Sequence, residues 1–556
     1  MAEKHTSIPS SLRKFFAVLK PDKKDLSAIY MFALLAGLIQ LSLPLGIQTI
    51  INFVMAGSVS TSIVVLIILV VLGTFFNGFI QVRQLEIIEK LKQKIFLRYA
   101  FEFSNRLPAI NVEKLDNYHL PELANRFFDT VSLQKGVEKI LLDLPAALIQ
   151  ILFGILLLSF YHPVFIAFGV LLILIIVLIL RFTSPRGLDY ALEASGYKYR
   201  VAAWLQETAR VVKTFKYAKD GGLQVHKTDT EVSGYLDART KYFSILLIQF
   251  WSLISFKIII TAAMLILGSL LLVNQQINVG QFIAADIVII AIISSVEKLI
   301  ISLDKVYDTL VSVEKLGVIV EAENETSGSL VFDKGTTGPA IEFSNVSFAY
   351  ASGNSVLHDL TCQIRAGENV LITGSSGSGK STLLRLLTGS FKGFTGNILI
   401  DGIPIGNYDI NTLRKHTGVL LNSQDIFHGS LLENITLGNP AITSKEITTL
   451  ANITGFSDFI RSHKDGLDTR LDPFGNRLPK HIRQQILLMR VLLGDHRLIL
   501  LEEPFAYLSP SVKEQYFSLI RSKQHCTILI SSEDASLATL CDKTIVLEAG
   551  TINNIR

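Results

Sequence analysis

At 556 residues the chain exceeds what one hydrophobic core supports, so at least two domains are expected. Apolar residues make up 49% and charged residues only 18%, with a mean hydropathy of +0.43, which excludes a disordered or fully soluble chain and requires membrane spans. A net charge of +4 gives no basis for nucleic-acid binding, and three cysteines without CxxC spacing exclude a disulfide scaffold or zinc ribbon and fit a reducing cytosolic compartment.

In chain order, residues 26–82 contain no Asp, Glu, Lys, Arg or His. That gap is too long for one span of about 20 residues and suits two, turning at Gly57-Ser58-Val59-Ser60-Thr61-Ser62. Residues 144–180 carry only His162, and His162-Pro163 divides them into a second hairpin. A third runs from about 243 to 302 and turns at Asn274–Gly280. The three turns hold no Lys or Arg, whereas the opposite side holds Lys4, Arg13, Lys14, Lys20, Lys23, Lys24 and the charged loops 83–143 and 181–242. The positive-inside rule therefore places both termini and both loops in the cytosol. The first 25 residues are polar and the apolar stretch after them is too long for a signal peptide; they are also too few for an extra N-terminal domain.

The two loops are near-equal in length and continue the spans in helical character, as in Arg83-Gln84-Leu85-Glu86-Ile87-Ile88. They serve either as solvated helical extensions or as a coupling surface, the latter favoured because a cytosolic domain follows. Within the third hairpin, Lys257 and Glu297 lie equally far from the turn, at the cytosolic edge, and are expected to pair or snorkel. Asp286 lies deeper, and either lines a pathway or makes a buried interhelical hydrogen bond.

The membrane domain is thus assigned to residues 1–320, a linker to 321–340, and an alternating strand–helix domain to 341–556. That domain carries Gly374-Ser375-Ser376-Gly377-Ser378-Gly379-Lys380-Ser381-Thr382 between the apolar strand Asn369–Thr373 and a helix beginning Leu383-Leu384-Arg385. This is the context a P-loop requires: glycines let backbone N–H groups curl round phosphate oxygens, Lys380 reaches the terminal phosphates, and Ser381 ligates Mg²⁺. A second apolar strand, Leu498–Leu501, ends in Glu502-Glu503-Pro504. Beside a P-loop, Glu502 is expected to hold the Mg²⁺ shell and Glu503 to act as the base that orients the attacking water.

Six spans, two long loops and this domain resemble a half-transporter of the ATP-binding cassette (ABC) exporter family, over essentially the whole chain. Val346-Ser347-Phe348-Ala349-Tyr350 resembles the segment whose aromatic stacks on adenine, which implies that role for Tyr350. Gly396–Gly402, Leu432-Glu433-Asn434-Ile435 and Arg483–Leu493 resemble further family segments, the last being the helix after the signature motif. The resemblance extends to the peptide and protein exporters of type I secretion, here without an N-terminal peptidase domain. The fold it implies is an α-helical six-span membrane domain followed by an α/β P-loop domain. ATP and Mg²⁺ are the implied cofactors, and the implied location is a bacterial-type inner or plasma membrane. The implied partners are membrane lipid, a second half-transporter and a periplasmic adaptor, with no nucleic acid.

The chain departs from the family pattern at defined positions. The signature LSGGQ falls on Leu478-Pro479-Lys480-His481-Ile482, where Pro479 lacks an N–H and two large side chains replace glycines. The Q-loop glutamine falls on Asn422, with Gln424 two residues late. Glu502 stands where the family has aspartate, Ser509 replaces the D-loop aspartate, and Glu533 replaces the switch histidine. The expectation is intact binding residues and damaged hydrolytic ones. The favoured function is an exporter subunit working beside a different, better-preserved half-transporter; the alternative is a non-hydrolysing subunit that uses ATP as a regulatory or assembly ligand.

Overall fold

The computed structural model describes residues 8–57, 61–111, 113, 120–218, 221–333, 335–350, 353, 355–422, 424–523 and 525–556. They divide into two compact units, one of residues 1–109 and 118–322, the other of 110–117 and 323–556.

Six helices in the first unit are long and apolar enough to cross a membrane: Ile8–Met55, Thr61–Ala109, Pro121–Tyr161, Val164–Arg210, Leu223–Val273 and Val279–Val320. The second and third hairpins turn where their polar breaks predict, at 162–163 and 274–278. Residues 58–60 of the first turn lie outside the described residues. At the third turn Asn278 caps the last span reciprocally: its Oδ1 accepts from Gln281 N at 2.8 Å, and Gln281 Oε1 accepts from Asn278 N at 2.9 Å. The helices outrun the hydrocarbon core because their amphipathic extensions continue the same backbone ladder into the polar loops. Small residues allow close crossing, since a Cβ on Gly154 would meet Ile292 Cγ1 at 2.9 Å. Lys257 and Glu297 form the expected ion pair at 2.7 Å. Asp286 is half-buried and bonds to no described residue. The second span buries none of its most apolar window, leaving it to lipid or to another chain.

Among the described residues the second unit holds twelve strands. The first five are β1 (Ile341–Ala349), β2 (Ser355–Ile364), β3 (Asn369–Gly374), β4 (Phe394–Ile400) and β5 (Ile403–Pro404). Next come β6 (Thr417–Leu420), β7 (Gly429–Ser430), β8 (Arg470–Leu471) and β9 (Leu498–Glu502), then β10 (Thr527–Ser531), β11 (Lys543–Glu548) and β12 (Thr551–Ile555). Three helices matter below: α1 (Lys380–Leu387), α2 (Lys480–Leu492) and α3 (Pro510–Ser522). One sheet is antiparallel in the order β2-β1-β4-β5; the central sheet runs β12-β11-β3-β10-β9-β6, parallel apart from β12; β7 and β8 pair by themselves.

The central strands are buried on both faces, as their near-continuous Val/Ile/Leu runs require. Alternate residues divide between two cores. Ile499, Leu501, Ile528 and Ile530 pack with Ile486, Met489 and Phe517 of α2 and α3. Leu498, Leu500 and Leu529 face α1 and the antiparallel sheet. Residues 323–333, which composition suggests as linker, are anchored at two points: Phe332 is buried against Tyr408, and Arg414 Nη2 donates to Glu325 at 2.8 Å. The first loop contributes Ile110 to this unit, in a bridge with Asn324, while Glu113 accepts from the Lys392 and Gly393 amides.

Candidate nucleotide site

Parallel pairing gathers the chemistry at one sheet edge. Ile372 of β3 and Glu502 of β9 both pair with Ser531 of β10, and Leu420 of β6 pairs with Leu501. The loops leaving the carboxyl ends of these four strands therefore meet, as they do in open parallel sheets generally.

After β3 the chain bends through Gly374 and Gly379, at φ +150° and +100°, before α1 begins. A Cβ at Gly374 would lie 2.1 Å from the Leu547 carbonyl oxygen, so only glycine fits there. Residues Ser375 to Ser378 turn tightly, with Ser378 N donating to Ser375 O at 3.1 Å. Lys380 Nζ folds back onto the Gly374 and Ser375 carbonyls, at 2.8 Å each, and lies 3.6 Å from Glu533 Oε1. Ser378 Oγ is buried without a partner among the described residues, and the first N–H groups of α1 lack partners within their own helix. Orphan donors, a buried ammonium and a helix N-terminus together fit the phosphates of a nucleotide.

Below the loop, Ser381 Oγ donates to Glu502 Oε1 at 2.5 Å. Asn422 reaches the same carboxylate twice, through its backbone N to Oε2 and its Nδ2 to Oε1, each at 2.9 Å. Thus Ser381 and Glu502, the two residues expected to serve Mg²⁺, meet Asn422 of the Q-loop position. It is Asn422, not Gln424, that meets the cluster; Gln424 Oε1 is buried and unpartnered. Oxygen ligands of this kind suit a hard divalent cation.

Glu503 has a left-handed backbone, φ +42°, beside Glu502 at the strand end. Its carboxylate accepts from Ser532 Oγ at 2.8 Å and from Glu533 N at 2.9 Å. Gln484 Nε2 on α2 donates to the Glu503 and Pro504 carbonyls, at 3.2 and 2.8 Å. Next to Glu533, Asp534 is held down to about 2 by hydrogen bonds from Lys513 and Ser536. The contacts of Ser532, Gln484 and Lys513 escape a sequence reading because they form between different helices and strands and not within a contiguous motif.

Tyr350 is linked to α1, with Oη 3.0 Å from Thr382 Oγ1 and 3.4 Å from Arg385 Nη1. Its ring packs edge-on against Phe348 and Phe391, at 5.0 and 5.9 Å. The signature-position residues start α2, well apart from the P-loop in sequence: Pro479 occupies the N-cap without a side-chain cap, and Lys480 Nζ lies 4.8 Å over the Tyr507 ring. Lys480 and His481 are exposed, whereas Ile482 is buried. Ser509 is the residue before α3 and its side chain makes no cap.

The family described as ABC transporter transmembrane region matches residues 26–296, and that described as ABC transporter matches residues 357–506. The chain is built as an ABC exporter half-transporter. Among solved structures, a bacterial Atm1-family ABC exporter with ATP bound superposes with a TM-score of 0.86 at 19% identity, covering 97% of this chain and 95% of that one, which shows a shared fold. The alpha-hemolysin translocation ATP-binding protein HlyB of Escherichia coli O157:H7 is 29% identical over 63% of this chain and 50% of its own length. The beta-(1→2)glucan export ATP-binding/permease protein NdvA of Agrobacterium fabrum is 28% identical over 52% of this chain and 51% of its own. The match therefore spans about half the length of these relatives. An ABC ATP-binding domain implies ATP, normally with Mg²⁺, and the exporter relatives lend no support to the regulatory alternative.

Proposed function

We propose that this chain is the ATP-binding subunit of an exporter that moves a substrate out of the cytosol by alternating access. The observation that carries this reading is the convergence of Ser381, Glu502 and Asn422 beneath a P-loop whose Ser378 hydroxyl lacks a partner among the described residues. Glycine backbone and Lys380 hold the phosphates, Ser381 and Glu502 serve the metal, and the Tyr350 ring meets the adenine. Both termini lie in the cytosol, in a bacterial-type inner membrane.

Hydrolysis takes place mainly at a site completed by a different half-transporter. In the family each nucleotide lies between one subunit's P-loop and the other's signature, so a homodimer would carry Leu478–Ile482 and Glu533 at both sites. Loss of one preorganised transition-state contact costs about 2.7–4 kcal/mol. An unlike partner separates the two defects. The relative named for alpha-hemolysin translocation supports a peptide or protein substrate; a periplasmic adaptor and a pathway lined by Asp286 belong to the same proposal. Photolabelling by an azido-ATP tests the nucleotide site: Lys380→Ala should abolish it, and undiminished labelling of that variant would remove the assignment.

A further inference from the structure

Resting on that nucleotide site, we infer that Glu533 makes it discriminate against the terminal phosphate, so that it retains a nucleoside diphosphate more readily than its position in an ABC fold suggests. Glu533 stands one residue beyond Ser532, at the end of β10, and its carboxylate reaches to 3.6 Å of the Lys380 ammonium. Lys380 is its only ion-pair partner among the described residues. The same ammonium is the sole cation on the P-loop itself, where it is already bonded to two carbonyls. A third phosphate adds negative charge beside this lysine and must share it with Glu533.

The surroundings give Glu533 no relief. The Glu503 carboxylate lies against its backbone N–H, and the Glu502 carboxylate lies below Ser381. Three carboxylates thus border a loop whose own cation is Lys380. A diphosphate takes up the orphan N–H groups and Ser378 without requiring Lys380 to leave Glu533. The Glu533 side chain is 59% exposed, so the effect is moderate and screened by salt. Its backbone bond to Glu503 does not involve the side chain, which separates the charge from the positioning of Glu503.

The full chain in lipid nanodiscs, with Mg²⁺, is titrated with ADP and with a non-hydrolysable ATP analogue. The readout is the ratio of the two affinities. Glu533→Gln is expected to shift that ratio about fivefold toward the triphosphate, the equivalent of one part-exposed charge contact. Independently of any variant, raising salt should shift the wild-type ratio in the same direction. A ratio unchanged by the substitution, or a wild-type ratio that does not respond to salt, overturns the inference while leaving nucleotide binding in place. Failure of wild-type protein to bind either nucleotide overturns the nucleotide reading and the inference together.

Discussion

The P-loop edge and the start of α2 are built to different standards. At the first, the charged and metal-side groups are each held by a neighbour: Lys380 by two carbonyls of its own loop, Ser381 by Glu502, Glu502 by Asn422, Glu503 by Ser532. At the second, the helix opens behind an uncapped proline, and Lys480 rests on an exposed aromatic ring. Binding needs a prearranged cradle within one chain, whereas the start of α2 has, in the proposed dimer, a partner's surface to meet. The contrast teaches that two neighbouring motifs can carry unequal constraint within one domain.

The contrast is sharpened most by removing turnover. Protein purified without a partner should bind nucleotide yet release negligible phosphate, and Glu503→Gln should change nothing. Combining Pro479→Ser, Lys480→Gly and His481→Gly should then raise phosphate release by about 10², the lower end of one recovered transition-state contact. Brisk release by the unmodified chain, lost in Glu503→Gln, would show both regions to be competent. At the P-loop, Gly374→Ala forces a Cβ against the Leu547 carbonyl and should cost about 3 kcal/mol of domain stability by calorimetry, with loss of labelling. An unaltered melting curve would mean that the loop is not rigid.

His496 lies in the turn joining the end of α2 to the start of β9, away from both regions. Burial lowers its pKa from 6.5 to about 4, with Lys523 adding to the effect. The folded domain then binds fewer protons than the unfolded chain, so its stability is full above pH 6.5 and falls as the pH drops toward 4. About 1–2 kcal/mol should be lost by pH 5, measured by denaturant titration and absent in His496→Phe. The smallest effect is expected at Lys480→Met, about 0.5–1 kcal/mol from the lost cation–π contact. A larger loss there would mean that the start of α2 is as tightly held as the P-loop.

Much of this was legible in the sequence, for reasons of scale. Spans show because a charge costs several kcal/mol in lipid, so the gaps at 26–82 and 144–180 stand out. The P-loop shows because its glycines and lysine are contiguous, and Glu502 shows because a buried strand ends abruptly in acid. The partners were hidden. Ser532 and Gln484 reach Glu503 only through the packing of β10 and α2 beside β9, and Glu533 reaches Lys380 only once β3 and β10 are paired. Asn422 rather than Gln424 was chosen by spacing alone, and its bond to Glu502 depends on the path of a loop after β6. Phe332 reads as linker by composition because one aromatic among Gly, Thr and Asp carries no periodic signal.

The strand order has a consequence for synthesis. Both neighbours of β3, β10 and β11, begin about 150 residues or more beyond it in the chain. The P-loop strand leaves the ribosome with its two edges bare, and waits roughly 10–30 s at bacterial elongation rates before either neighbour exists. The six spans will by then have entered the membrane. A nascent chain therefore cannot grip nucleotide until β10 and β11 have been made, and any product truncated before Thr527 exposes two unpaired apolar edges, a substrate for quality-control proteases.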